Sequence, residues 1–246
     1  MLLENHNVVI TGNFSGIGRA AAALFAREGA QLFCVDDTAD GWEHPDSIQG
    51  NIPHLIADVA DERGVAAAVS ACKSRFDRVD LLLNLAGRTS KHSFEDTTPE
   101  VWQRMIGRNL TAAFLCSQGF LPLLKRSASG VIINHASIDA TLGNPSLAAY
   151  SAAKGGLIPL THVMAHDLAK YGIRVNSIST GAIRDGAPRP SDHRRTEVTP
   201  SGRTGTPEDV ARVALFLGCD WSSYVNGANI VVDGGRTGIT QGCYED

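Results

Sequence analysis

The sequence predicts an α/β fold, a doubly wound sheet of seven parallel strands with helices on both faces. Three observations carry that expectation. Short apolar or β-branched runs alternate with longer helical patterns along the whole chain. A glycine-rich turn joins the first such run to the first helical pattern. The second run then ends on an acidic residue, Asp36.

Taken in order, strands are expected at 7–10, 31–36, 54–57, 81–85, 131–134, 174–178 and 229–232. Helical patterns fall at 19–28, 61–74, 99–124, 146–171 and 206–217. The alternation breaks once. Residues 37–53 hold Gly41, Pro45, Gly50 and Pro53, so little or no helix is expected in that crossover. Pro159 lies inside the fourth helical pattern, where it removes a backbone hydrogen bond and should bend the helix at Gly155 and Gly156. With 246 residues and no dividing linker, repeat or low-complexity segment, residues 1–246 read as one domain.

The turn after the first strand reads Thr11-Gly12-Asn13-Phe14-Ser15-Gly16-Ile17-Gly18. Strand, glycine turn and helix in this order form a Rossmann-type phosphate loop. Gly12 makes the tight turn, Gly16 lets backbone approach a pyrophosphate, and Gly18 lets helix pack on strand. The helix N-terminus adds amide donors and a favourable dipole. Asp36 stands where a carboxylate binds the adenosine ribose and repels a 2′-phosphate. Asn13, Asp37 and Thr38 offer no cation to such a phosphate, so NAD is favoured over NADP. Arg19 reads either as a phosphate partner or as a solvated helix residue.

Bulk properties exclude several classes. A formal charge of -4 gives no basic field for nucleic acid. No apolar run approaches a membrane helix, and the first strand starts too early for a signal peptide. Cys34, Cys72, Cys116, Cys219 and Cys243 are scattered and odd in number, as in reduced cytoplasmic proteins without a zinc or disulfide framework. No metal is expected.

Tyr150 and Lys154 carry the chemistry. Four residues apart on a helix, they share a face. A tyrosine titrates near 10, too high for a base at neutral pH. An ammonium roughly 5 Å away at an effective dielectric of about 20 would favour the phenolate by roughly 3 kcal/mol, or about two pKa units.

Together, Thr11-Gly12-x-x-x-Gly16-Ile17-Gly18, Asp58-Val59, Asn84-Leu85-Ala86-Gly87, Asn109, Ser137, Tyr150-x-x-x-Lys154, Asn176, Gly181 and Val232-Asp233-Gly234-Gly235 resemble the short-chain dehydrogenase/reductase family over essentially the whole chain. The resemblance implies that Ser137 bonds the substrate oxygen and that Tyr150 transfers the proton while hydride moves to or from the nicotinamide. It implies that Lys154 lowers the tyrosine pKa and bonds the nicotinamide ribose, and that Asn109 holds a water linking Lys154 to a proton relay. Cofactor contacts are implied for Gly12, Ser15, Gly16, Ile17, Gly18, Asp36, Asp58, Val59, Asn84, Ala86, Gly87, Tyr150, Lys154, Gly181 and Ile183. For Asn84 and Asn176 a structural role is equally open. The family's self-association implies a homodimer or homotetramer.

Departures from the family pattern concern the substrate side. Thr180-Gly181 replaces a Pro-Gly, and Asp185 stands where a threonine often touches the nicotinamide amide. The lid, 181–206, is short and polar, with Arg184, Arg189, His193, Arg194, Arg195 and Arg203 against Asp185, Asp192 and Glu197. Arg88, Lys91 and His92 add a second basic loop. Two such loops would concentrate an anionic substrate, and Arg can bind a carboxylate bidentately; a solvated basic lid is the competing reading. Substrate contacts are expected from Arg88, Ser137, Asp139, Asn144, Tyr150 and Arg184, for a small polar alcohol or ketone such as a hydroxy acid or sugar acid. An NAD-dependent alcohol dehydrogenase or ketone reductase fits the complete set of four catalytic residues. The alternatives are an NADP-preferring ketone reductase, a non-catalytic NAD sensor, and a related epimerase or enoyl reductase. The last two would differ in glycine or tyrosine–lysine spacing.

Overall fold

The computed structural model describes residues 1–12, 15–38, 52–187 and 193–238, without the side chains of 194 and 195. Seven strands form one parallel sheet: β1 (Asn7–Thr11), β2 (Gln31–Asp36), β3 (His54–Ile56), β4 (Leu81–Asn84), β5 (Val131–Ser137), β6 (Arg174–Thr180) and β7 (Asn229–Val232). Their order is β3-β2-β1-β4-β5-β6-β7. Helices α1 (Gly16–Arg27), α2 (Glu62–Lys73), α3 (Pro99–Ile106), α4 (Ala112–Leu124), α5 (Ala148–Ala169), α6 (His193–Glu197) and α7 (Pro207–Gly218) flank it.

Both sheet faces are buried, which explains why the strands read as continuous apolar runs instead of alternating ones. On one face, Ala21 and Phe25 of α1 and Val210, Ala214 and Leu217 of α7 close over Ile10, Leu83 and Ile133. On the other, Val65 and Cys72 of α2 and Cys116 and Phe120 of α4 close over Val9, Leu82 and Ile132.

The expected elements are present, with shifted ends. β5 and β6 run longer than their apolar cores because they pair from Val131–Arg174 through Ser137–Thr180. That puts Ser137 at the strand end, as expected from its place before Tyr150. The expected helix over 99–124 is divided: a π-helical turn (Gly107–Thr111) separates α3 from α4. α5 begins after Ser146, whose φ of 65° cannot belong to a right-handed helix. It then runs through Pro159 as one helix. The lid contains a short helix, α6. The crossover over 39–51, Asn13, Arg189, Asp192, Cys243 and the side chains of Arg194 and Arg195 lie outside the described residues.

Strand order reverses between β1 and β4, which pair from Val8–Leu81 to Thr11–Asn84. In such sheets the crevice beyond the carboxyl ends of the two strands is where ligands bind. Gly12 leaves β1 there and Leu85 leaves β4.

Candidate active site

A cleft of about 290 Å³ opens at this reversal, lined by Gly12, Ser15, Asp36, Asp58, Val59, Ala86 and Gly87 among others. These seven, predicted from scattered parts of the chain, come together there. Gly12 has φ +72°, and a Cβ on it would lie 2.6 Å from the Ala86 amide nitrogen. The phosphate loop can therefore lie on the β4 turn only with glycine at this position. Asp36 is buried at the end of β2, where one carboxylate oxygen accepts the Asp37 amide at 2.8 Å. Ser15 is the N-cap of α1; its hydroxyl accepts the Gly18 amide at 3.0 Å and donates to the Gly12 carbonyl at 2.9 Å. Ile17, in the first turn of α1, packs against the core.

The lining fits the adenosine half of a dinucleotide. It combines a carboxylate at ribose reach, small apolar walls in Val59 and Ala86, and a capped helix start for phosphate.

The second cluster stands on α5 and the ends of β5 and β4. The hydroxyls of Ser137 and Thr89 stand beside the Tyr150 phenol and act to lower its pKa. Ser137 Oγ also accepts the Asp139 amide at 3.1 Å, closing the short turn after β5. The Asp139 carboxylate accepts from the Asn144 side-chain amide. Asp139 lies near enough to act on the Tyr150 charge. Ser137, Asp139, Asn144, Tyr150 and Lys154 thus share one place, as predicted.

Lys154 is buried, and its Nζ donates to the His135 carbonyl oxygen at 2.5 Å. Burial lowers its pKa to about 7. The His135 ring bonds Thr180 Oγ1 at 3.0 Å. Burial, with Lys154 beside it, pushes the imidazole down to about 3, so the ring is neutral.

One electrostatic expectation is overturned. Tyr150 was expected to be lowered by Lys154, but burial raises it, with Asp139 adding to the rise; the hydroxyls of Thr89 and Ser137 pull the other way. Desolvation wins because the ammonium is itself destabilised, turned to the His135 carbonyl, and 5.9 Å from the phenol ring centre.

Asn109 lies in the π-helical turn, a feature frequent at functional sites. Its amide nitrogen donates to the carbonyls of Arg88 (3.0 Å) and Met105 (3.1 Å). Its Oδ1 is buried with no hydrogen-bond partner among the described residues. A buried acceptor of this kind is suited to hold a water, as the resemblance implied.

Other predicted residues stand elsewhere. Asn84 does not line the cleft: its amide turns inward to Ser117 Oγ (3.1 Å) and Asn134 Oδ1 (3.0 Å), tying β4 to α4 and β5. Asn176 fixes the turn before β7, donating to the Val225 carbonyl and accepting the Ala228 amide. Gly181 is hemmed by Asp233, whose Cα would lie 2.9 Å from an added Cβ, so packing explains the glycine. Ile183 and Arg184 follow β6 against Gly205, which accepts the Arg184 amide at 2.8 Å.

Arg88, predicted to meet the substrate, turns the other way. Its guanidinium reaches Asp37 at 3.0 Å, in the adenosine cleft, and Arg108 approaches the same carboxylate at 3.6 Å. Asp37 draws both cations because it is a half-buried carboxylate at the cleft mouth. In the lid, Arg203 binds Asp209, which caps α7. Two arginines of the supposed anion-collecting loops are therefore occupied structurally.

Thr89 and Arg108 were missed by sequence reasoning. Thr89 offers as its signal only a hydroxyl two residues past Gly87. Arg108 precedes Asn109, but its reach across the cleft depends on the π turn.

Comparison with known proteins agrees with this geometry. A family model described as enoyl-(acyl carrier protein) reductase matches residues 12–237. Levodione reductase from Leifsonia aquatica is 34% identical, with 94% of this chain and 93% of that protein covered. The chain belongs to the short-chain dehydrogenase/reductase family. A crystal structure of levodione reductase superposes on this family member with a TM-score of 0.89 at 32% identity, covering 97% of this chain and 100% of the other. Meso-2,3-butanediol dehydrogenase from Serratia marcescens is 36% identical, covering 96% of each. An uncharacterized oxidoreductase, YxbG, from Bacillus subtilis is 38% identical, covering 97% of this chain and 93% of its own. As a short-chain dehydrogenase/reductase, the protein is an oxidoreductase of a family that works with nicotinamide cofactors on alcohols and ketones.

Proposed function

We propose that this protein is an NAD-dependent dehydrogenase/reductase of a small polar secondary alcohol or ketone, with Tyr150 as general acid/base. The observation that carries the reading is the Tyr150 phenol beside the hydroxyls of Ser137 and Thr89, with buried Lys154 one helical turn away. The loop 87–89 joins this centre to the cleft, since Gly87 lines the cleft and the Thr89 hydroxyl stands beside Tyr150.

A bound nicotinamide cofactor supplies the hydride acceptor or donor. Ser137 Oγ holds the substrate oxygen, and Tyr150 Oη gives or takes its proton. Thr89 fixes the phenol's direction. Lys154, anchored on the His135 carbonyl, has a pKa near 7 and can pass a proton onward. The buried Asn109 Oδ1 gives a water in that path an acceptor. Asp36 orients the adenosine ribose.

Support for a small polar substrate comes from the Asp139–Asn144 pair beside Tyr150. The names of levodione reductase and meso-2,3-butanediol dehydrogenase point the same way. A carboxylate-bearing substrate draws less support, with Arg88 and Arg203 both paired. Self-association draws support from apolar side chains exposed on α4 and α5 (Phe114, Val163) and near β7 (Trp221, Tyr224).

A second reading, use of NADP, is favoured by Arg88 and Arg108. Cations absent from the positions after β2 reach the cleft from the β4 loop and the π turn instead. Asp36 and the prior claim of Asp37 on both arginines keep NAD first.

Reduced-cofactor absorbance, followed with NAD and NADP separately across neutral and carboxylate-bearing secondary alcohols, tests the proposal. Turnover of neutral diols with NAD is expected. Tight NAD binding with no turnover of any alcohol or ketone would replace the enzyme by a sensor.

A further inference from the structure

The loop after β6 brings Asp185 against the phosphate loop. A Cβ on Gly16 would run into the Asp185 carboxylate, so that group occupies the space the glycine keeps open over the start of α1. From α1 itself, Arg19 Nη2 reaches Asp185 Oδ2 at 2.5 Å. Gly16 and Arg19 are thus both engaged by an acidic side chain that lies 166 residues beyond Arg19 in sequence.

We propose that Asp185 is a determinant of cofactor affinity that competes with the pyrophosphate for Gly16 and Arg19. The inference rests on the nicotinamide reading above. A carboxylate and a phosphate diester carry the same sign and seek the same partners: a guanidinium and the positive end of a helix. They cannot share the space over Gly16. Binding therefore exchanges the Arg19–Asp185 pair for an Arg19–phosphate pair and moves the carboxylate aside. The pair is partly exposed, so the exchange costs a modest factor in affinity and does not forbid binding. The departure from threonine at this position then acts on the phosphates and not on the nicotinamide ring.

Isothermal titration of the whole protein with adenosine, ADP and NAD tests this. Asp185→Asn removes the charge at an exposed side chain without removing its bulk. It is expected to tighten ADP and NAD by about three- to tenfold while leaving adenosine within twofold. Arg19→Ala in the Asp185→Asn background should return ADP to wild-type affinity or weaker. Unchanged ADP affinity in Asp185→Asn would overturn the inference. So would a variant that weakens NAD but not ADP, which would place the carboxylate on the nicotinamide side. Failure of adenosine, ADP and NAD alike to bind the wild type would instead sink the nicotinamide reading on which the inference rests.

Discussion

Lys154 Nζ donates to the carbonyl oxygen of His135, so the lysine beside Tyr150 is anchored on the strand that also presents Ser137. The contact replaces only part of the ammonium's lost hydration, which is why its pKa falls from the ordinary 10.5 to about 7.

That shift makes stability depend on pH in a definite direction. Between about pH 7 and 10.5 the unfolded chain holds the Lys154 proton and the folded chain does not. Raising pH through this window therefore favours the folded state, and below about 7 the full penalty of burying the charge is present. Against Lys154→Met, wild-type unfolding free energy should rise by about 1.4 kcal/mol per pH unit from pH 7 to 9. Urea unfolding of both proteins at several pH values measures this, and a constant difference across the range would refute the buried-charge account.

Tyr150→Phe should cost about 10² to 10⁴ in kcat, the span of positioned acid/base catalysis, while NAD binding changes little. Thr89→Val tests the phenol's second partner. Losing the hydroxyl beside the phenol should lower kcat about fivefold to twentyfold with KM nearly constant, and Thr89→Ser should restore most of it. Steady-state kinetics separates the two roles. A Tyr150→Phe protein with near-normal rate would remove the tyrosine from the mechanism.

Local signals explain how much of this could be read from the chain. Strand runs buried on both faces are conspicuous, and the glycine turn with Asp36 marks the cleft because each residue answers to one nearby requirement. Ser137, Tyr150 and Lys154 are recognisable because spacing on one strand end and one helix fixes their meeting. The π turn at Asn109 was invisible, and the bond of its amide to the Arg88 carbonyl joins distant segments and leaves no mark in the local pattern. Direction was equally hidden. Arg88 follows Gly87 whether it faces substrate or adenosine, and Asp37, just past the end of β2, decides which. The tyrosine pKa was misjudged because pair electrostatics ignored the cost of burying both partners.

Gly12→Ala should be among the most damaging single-methyl changes in the protein. Its φ is +72°, and the new Cβ would press on the Ala86 and Leu85 backbone at 2.6–2.8 Å, where no side chain can yield. Strain in the left-handed region adds to the overlap, for a loss of at least about 2 kcal/mol. The β4 turn must retreat, so adenosine binding should weaken along with the fall in Tm. Thermal unfolding and adenosine titration on the same samples check both.

Asp36 and Asp37 are neighbours with opposite expected effects on cofactor choice. Asp36→Ala removes the ribose acceptor and the repulsion of a 2′-phosphate, so kcat/KM with NAD should fall about tenfold and the preference over NADP should narrow. Asp37→Asn leaves Asp36 in place but releases Arg88 and Arg108, which Asp37 now holds at 3.0 and 3.6 Å. NADP turnover should then rise about threefold to tenfold with NAD nearly unchanged, since the freed guanidiniums favour the extra phosphate alone. Arg88→Ala combined with Asp37→Asn should erase the gain. If Asp37→Asn moves NAD and NADP equally, the arginines play no part in cofactor choice and Asp36 alone sets it.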